Sequence, residues 1–223
     1  PIFYLPYFGF STVTKRTSGF LSAQFGFSQL EGFLFEQPLF IAPSSSWDIT
    51  VKPQVRSSRG QGINAELLFV DSPESSGLLE AGFFNDNQSY VESQNQANSQ
   101  HSGFHFNYKR KNLFMDQDDS LYLDLDYLND IDYLDLRTLN ISQQEIPKIL
   151  PSYFEYFIHD DSYFLGFDSK YFIDTARQSN KETLQIAPAL NYHYFNKAFL
   201  DNTFMLGLDI ENKNFTRALG SRA

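Results

Sequence analysis

Between Trp47 and Arg56 the chain alternates without a break. Trp47, Ile49, Val51, Pro53 and Val55 point one way, and Asp48, Thr50, Lys52, Gln54 and Arg56 point the other. A period of two held over this length is a β-strand with one apolar and one polar face. A tilted strand that crosses a bilayer needs about 9–11 residues, whereas the average strand has about five or six. Three further segments repeat the pattern at similar length. "SLYLDLDYL" sets Leu121, Leu123, Leu125 and Tyr127 against Tyr122, Asp124 and Asp126. "LQIAPALNYHYF" sets Leu184, Ile186, Leu190, Tyr192 and Tyr194 against Gln185, Ala187, Ala189, Asn191 and His193. "TFMLGLDIE" sets Phe204, Leu206, Leu208 and Ile210 against Met205, Gly207, Asp209 and Glu211. Weaker copies near 19–28, 30–41, 61–70, 77–85, 102–110, 152–159 and 162–174 bring the expected total to about 10–11 strands.

The links between these strands differ in length. "APSSS", "SSRGQG", "DSPESSG" and "HDD" are short, whereas "NDNQSYVESQNQANSQ", "NDIDYLDLRTLNISQQEIPKILP" and "DTARQSNKET" are long and polar. From the fifth strand onward the long links fall mostly on one side, as in transmembrane barrels with short turns at one end and long loops at the other. The expected fold is therefore all-β: an antiparallel meander, each strand pairing with its sequence neighbour, forming part of a transmembrane β-barrel. Trp47, Ile49, Val51, Leu121, Leu123, Leu125, Phe204, Leu206 and Leu208 would face lipid. Asp48, Thr50, Lys52, Asp124, Asp126, Asn191 and Asp209 would face the lumen. A soluble β-sandwich that binds carbohydrate, whose strands also alternate, and a passive porin-like channel are the competing readings. Pro53 and Pro188 fall inside alternating strands and mark an edge, a bulge or weak pairing.

Composition narrows the partners. Mean hydropathy is −0.36 despite 17% aromatic residues, and no apolar run is long enough for a membrane helix. A net charge of −10 argues against nucleic acid, which needs a basic footprint. The absence of cysteine rules out disulfides, cysteine-ligated zinc and thiol catalysis in this chain.

The first ten residues hold two prolines and five aromatics and must be extended. "PIFYLPYF" is followed by "KRTSGFL", "PLFIAPSSSWDITVKPQ" and "RSSRG". In order and spacing these resemble the LptD family of lipopolysaccharide-assembly proteins. The matching positions are Pro1 to Tyr7, Arg16 to Leu21, Ala42–Pro43, Asp48 to Thr50 and Arg59–Gly60. The resemblance is specific over about residues 1–85. Beyond that it lies in the hairpin rhythm and in "RALGSRA".

The resemblance implies that residues 1–18 lead from a periplasmic jelly roll into a barrel, and that 19–223 form its N-terminal portion. It also implies residence in the outer membrane of a Gram-negative bacterium, and no enzymatic step or cofactor. Lipopolysaccharide would pass through the lumen and leave sideways at a seam between first and last strands. Partners would be an LptE-like plug lipoprotein and an LptA-like periplasmic bridge. Phe3, Tyr4, Tyr7 and Phe8 would stand at the entrance of the lipid path. A strand proline removes a hydrogen-bond donor and weakens a seam. Pro38 matches one family proline, while Ala23 occupies the position of the other. Gly26 and Gly32, with Gly19, would loosen the seam in its place.

Other chemistry is thinner. On one strand His101 and His105 lie roughly 13 Å apart and cannot chelate one ion together; they read, like His159 and His193, as ordinary lumen or rim histidines. Asp116, Asp118 and Asp119 lack the glycine and distal glutamate of a calcium loop. Asp130, Asp132 and Asp135 read as solvated loop acids. Lys109, Arg110 and Lys111 read as a basic cap where a strand leaves the membrane. No nucleophile elbow or phosphate-binding glycine loop is present.

Overall fold

A computed structural model describes residues 16–114, 118–137, 147–177, 180–201 and 203–218. Phe3, Tyr4, Tyr7, Phe8 and Asp116 lie outside these residues, as does the end of "RALGSRA". In chain order the elements are β1 (Gly19–Phe20), β2 (Gln24–Ser28), β3 (Gly32–Glu36), β4 (Leu39–Ile41), β5 (Trp47–Arg56), β6 (Gly60–Phe69), β7 (Ser75–Asp86), α1 (Gln88–Gln94), β8 (Gln100–Lys111), β9 (Asp119–Leu128), α2 (Asp132–Leu136), β10 (Ile149–His159), β11 (Tyr163–Asp174), β12 (Gln185–Phe199) and β13 (Phe204–Thr216). All strands belong to one antiparallel sheet, a meander from β5 to β13. A sandwich needs a second sheet, and the described residues form one. The sheet does not close on itself: its two edges are the first hairpin and β13.

The first two strands are each interrupted, which corrects the expectation of continuous strands at 19–28 and 30–41. β1 pairs with β4, β2 pairs with β3, and both β3 and β4 pair with β5. The sheet is thus eleven strands across, although thirteen segments are paired. Elsewhere from β5 to β11 neighbouring strands pair in unbroken register, over six residues between β9 and β10 and over nine to eleven in the other pairs. The exception is β12, where Pro188 falls within a register shift towards β13, between Ile186 and Ala189.

Directly opposed residues in an antiparallel ladder share a face, so register carries one face across the sheet. Thr50 opposes Glu66, Glu66 opposes Glu80, Glu80 opposes His105, and His105 opposes Asp126. On the other face run Val51, Ala65, Ala81, Phe104 and Tyr127. The polar face is the covered one. α2 lies on it, with Tyr133 and Leu136 buried, and the Leu136 carbonyl accepts hydrogen bonds from Gln54 Nε2 (2.7 Å) and Asn64 Nδ2 (3.4 Å). Asp48, Gln54, Arg56 and Asn64 are buried there. The opposite face is bare: Trp47, Ile63, Phe83, Phe104, Tyr127, Phe167 and Leu190 are all exposed. This inverts the arrangement of a water-soluble fold, in which apolar side chains are the ones withdrawn from solvent. Among the described residues no helix is long and apolar enough to cross a membrane.

The ends of the sheet differ as well. Links 42–46, 70–74, 160–162 and 200–203 are short turns at one end, joined there by 112–118. At the other end, beside the short turns 29–31 and 57–59, stand the longer connections 87–99, 129–148 and 175–184. α1 and α2 both belong to that long-loop end.

Candidate functional site

Two features stand out near the first edge of the sheet.

The first is the interruption in the leading hairpin. Gln24 opposes Glu36, but Phe20 opposes Leu39. Three residues, Leu21 to Ala23, therefore stand against two, Gln37 and Pro38, which makes a β-bulge. Gln37 N donates to the Pro53 carbonyl of β5 at 3.2 Å. Successive residues of a strand turn their backbone groups to opposite neighbours, so position 38 faces the edge strand. Pro38 has no N–H to offer there. Its carbonyl accepts from Leu21 N at 2.9 Å, and the Gln37 side-chain amide spans the rest of the break to the Leu21 carbonyl at 2.8 Å. Ala23 lies inside this break. Gly26 sits in β2 opposite Leu34. Gly32 closes the turn with a positive φ of 76°, and a Cβ there would come within 2.7 Å of Ser58 Oγ. The bare face of this hairpin carries Phe25, Phe27, Phe33 and Phe35, with Phe25 packed 5.3 Å from Phe35 and 6.1 Å from Phe33.

The second feature is a clasp of buried charge at the long-loop end. Glu31, in the β2–β3 turn, accepts from Arg56 Nη1 at 2.7 Å and from Arg59 Nη1 at 2.6 Å. Arg59 Nε donates to Asp86 at 3.0 Å. His101 Nε2 lies 3.0 Å from the other Asp86 oxygen, and its Nδ1 lies 2.8 Å from Asp130. Arg56 also donates to the Asp135 carbonyl at 3.1 Å. Both guanidinium groups sit over the Phe84 ring, and that of Arg59 over Tyr90 of α1 as well. Burial alone would lower the Arg59 pKa, but hydrogen bonds to Glu31 and Asp86 outweigh it and hold it above the usual arginine value. Burial pushes the Tyr133 phenol up to about 12. The clasp thus fastens the first turn, the β5–β6 turn and both loop helices together over the polar face.

The residues expected to face a lumen share that covered face but form no single site. Asp48 pairs with Arg16 at 2.7 Å, and Lys52 pairs with Glu66 at 2.7 Å. Asp124 accepts from the Tyr122 hydroxyl at 2.8 Å, and Asp126 lies 3.1 Å from His105 Nδ1. Asp209 contacts His193 at the far edge, and Asn191 donates to Asp168 at 2.8 Å. The expected apolar set, from Trp47 to Leu208, shares the opposite face by register.

One expectation changes. Asp130 and Asp132 are not solvated loop acids: Asp130 contacts buried His101, and Asp132 accepts from Gln96. His101 and His105, as expected, share no ligand set; each meets its own pair of aspartates. Arg110 of the basic cap is paired with Asp71 at 2.6 Å, and Lys109 lies over the Tyr122 ring. Sequence reading missed the clasp itself. Its one local signal was two arginines flanking a tight turn in "RSSRG".

No family model matches the chain. It is 27% identical over 154 residues to the LPS-assembly protein LptD of Pseudoalteromonas atlantica, covering 63% of this chain and 19% of that protein. It is 26% identical over 147 residues to LptD of Acinetobacter baumannii, covering 66% and 17%. To LptD of Pasteurella multocida it is 33% identical over 101 residues, covering 45% and 13%. The chain spans less than a fifth of the length of these curated relatives.

Proposed function

The chain is LptD-like, and on that premise we propose that residues 19–223 are the N-terminal portion of an outer-membrane barrel that delivers lipopolysaccharide to the cell surface. The bare face meets lipid, and the face under α2 lines the lumen. Residues 1–18 lead in from a periplasmic domain, with Phe3, Tyr4, Tyr7 and Phe8 at the entrance of the path.

The observation that carries this reading is the inverted sheet. Burying a charged face while exposing Phe, Leu and Trp costs too much in water, but it suits a wall between hydrocarbon and a polar channel. The long strands and the gathering of long loops at one end agree with it. The first hairpin supplies the seam. Its edge strand is bulged, Pro38 withholds a donor, and its outer surface is lined with phenylalanine, which acyl chains wet readily. Sugar and phosphate groups would travel on the polar side while the acyl chains leave past Ala23, Gly26, Gly32 and Pro38. A plug lipoprotein and a periplasmic bridge complete the assembly.

The test is lipopolysaccharide arrival at the surface of cells carrying the full-length protein. A cysteine pair that locks the edge strand 19–28 to the strand closing the barrel should stop delivery, and reduction should restore it. Unchanged delivery in the locked barrel would remove lateral release, and a solute leak with no lipopolysaccharide defect would point to a passive channel.

A further inference from the structure

We infer that His101, Asp130 and Asp132 hold a divalent cation of the Mn2+ or Zn2+ class, which ties the start of α2 to β8. The inference does not depend on the lipid path.

His101 Nδ1 and one carboxylate oxygen from each aspartate lie within 4.8 Å of one another. Ligands about 2.0–2.2 Å from one ion stand roughly 3–4 Å apart, so the carboxylate of Asp130 need only ease back slightly from Nδ1 and the cluster close slightly elsewhere. The contacts of the imidazole are a separate observation. His101 is 1% exposed, with Nε2 3.0 Å from Asp86 and Nδ1 2.8 and 2.9 Å from the two oxygens of Asp130. A neutral imidazole has one N–H. If Asp86 accepts it at Nε2, the Nδ1 lone pair meets a carboxylate at hydrogen-bond distance, which is repulsive. A second proton or a cation at Nδ1 removes the conflict. A carboxylate accepting the far N–H is also the arrangement that orients metal-binding histidines.

Two further facts favour the cation over the proton. Gln96 Oε1 is buried without a hydrogen-bond partner, while its Nε2 donates to Asp132 at 3.2 Å. A hard amide oxygen is thus available beside the cluster. Around the clasp, Glu31, Asp86, Asp130, Asp132 and Asp135 outnumber Arg56 and Arg59, an imbalance that a dication offsets. One imidazole among oxygen donors suits Mn2+ or Zn2+ better than a purely oxygen-seeking ion. A cavity of about 690 Å3, lined by His101, Asp130, Asp132, Ile173, Arg177 and Asn180 among others, leaves space for water ligands.

The full-length protein in detergent, stripped by chelator, is titrated with MnCl2 alone while the free Mn2+ resonance is followed. Saturable binding of one equivalent at this site is expected, weakened at least tenfold by Asp132→Asn, since even outer-shell losses cost 10–100-fold. His105→Ala, which removes the other His–Asp–Asp grouping, should leave that binding intact. Mn2+ should also slow tryptic cleavage after Arg137 in the wild type but not in Asp132→Asn. Asp132 is only half-buried, so this variant tests the site without emptying the clasp of His101. No saturable binding, undiminished binding by Asp132→Asn, or loss of binding in His105→Ala would each overturn the assignment.

Discussion

The side-chain amide of Gln37 donates to the carbonyl of Leu21 across 2.8 Å, standing in for a ladder bond that Pro38 cannot make. Residue 38 faces the edge strand, so Pro38→Ala would aim a new N–H into the bulge at Leu21–Ala23. One such bond is worth roughly 0.5–1.5 kcal/mol net. Amide exchange at Leu21–Gln24 should slow up to about tenfold in Pro38→Ala and speed up in Gln37→Ala. Equal exchange in both variants would mean that the proline does not set the strength of this hairpin.

Glu31 is shared by two buried arginines, so its loss removes one charge partner from each. Removing one partner from a buried ion pair costs about 3–5 kcal/mol. Glu31→Ala should therefore lower the unfolding midpoint in detergent and open residues 129–137 to protease. Glu66→Ala breaks a more exposed pair with Lys52 and should cost under about 1 kcal/mol. Similar losses for the two variants would contradict the clasp.

Gly103 gives α2 its seat. A Cβ there would lie 2.5 Å from ring carbons of Tyr133 and 2.6 Å from the Tyr127 carbonyl, and the second of these is backbone that cannot swing aside. Gly103→Ala should unseat α2 without unfolding the sheet. The expected readout is Tyr133 ionisation returning from about 12 towards the ordinary tyrosine value near 10.

The same phenol makes loop docking depend on pH. Below pH 10 Tyr133 is neutral whether α2 is docked or free. Between pH 10 and 12 the free loop releases the proton and the docked loop keeps it, so docking loses stability as pH rises through this window. The shift amounts to about 2–3 kcal/mol of weakened docking. Protease sensitivity of the α2 loop should rise over that window in the wild type and stay level in Tyr133→Phe.

Charge should be tolerated on one face of the sheet and rejected on the other. Ile63 is exposed on the bare face and Glu66 lies on the covered one. Arginine on a lipid-facing wall costs about 2–4 kcal/mol near the midplane. Ile63→Arg should lower folding yield into lipid vesicles, whereas Glu66→Gln should not.

The sheet was legible because strand alternation is written in nearest-neighbour chemistry. Trp47 to Arg56 announces its two faces by itself, and once register is fixed every other strand follows. The interruptions at Leu21–Ala23 and Gln37–Pro38 were only half legible. Pro38 signalled a missing donor, but the extra residue on the edge strand is a relationship between two segments, and no local pattern encodes it. The clasp was hidden for a similar reason. Glu31, Arg59, Asp86, His101 and Asp130 are spread over about half the chain, and each alone reads as a solvated turn or rim residue. They meet because the meander brings every second connection to the same end, a property of topology that single-residue signals do not carry.

Trp47 is the one tryptophan of this chain, and it stands on the bare face opposite Phe69, at the end of β5 where the turns are short. The indole is therefore a built-in depth gauge. In vesicles whose acyl chains carry bromine at successive carbons, and with any tryptophan outside this chain replaced, the carbon that quenches Trp47 emission most strongly would locate the short-turn rim along the bilayer normal. The time course of that quenching would record when this rim reaches its final depth during assembly.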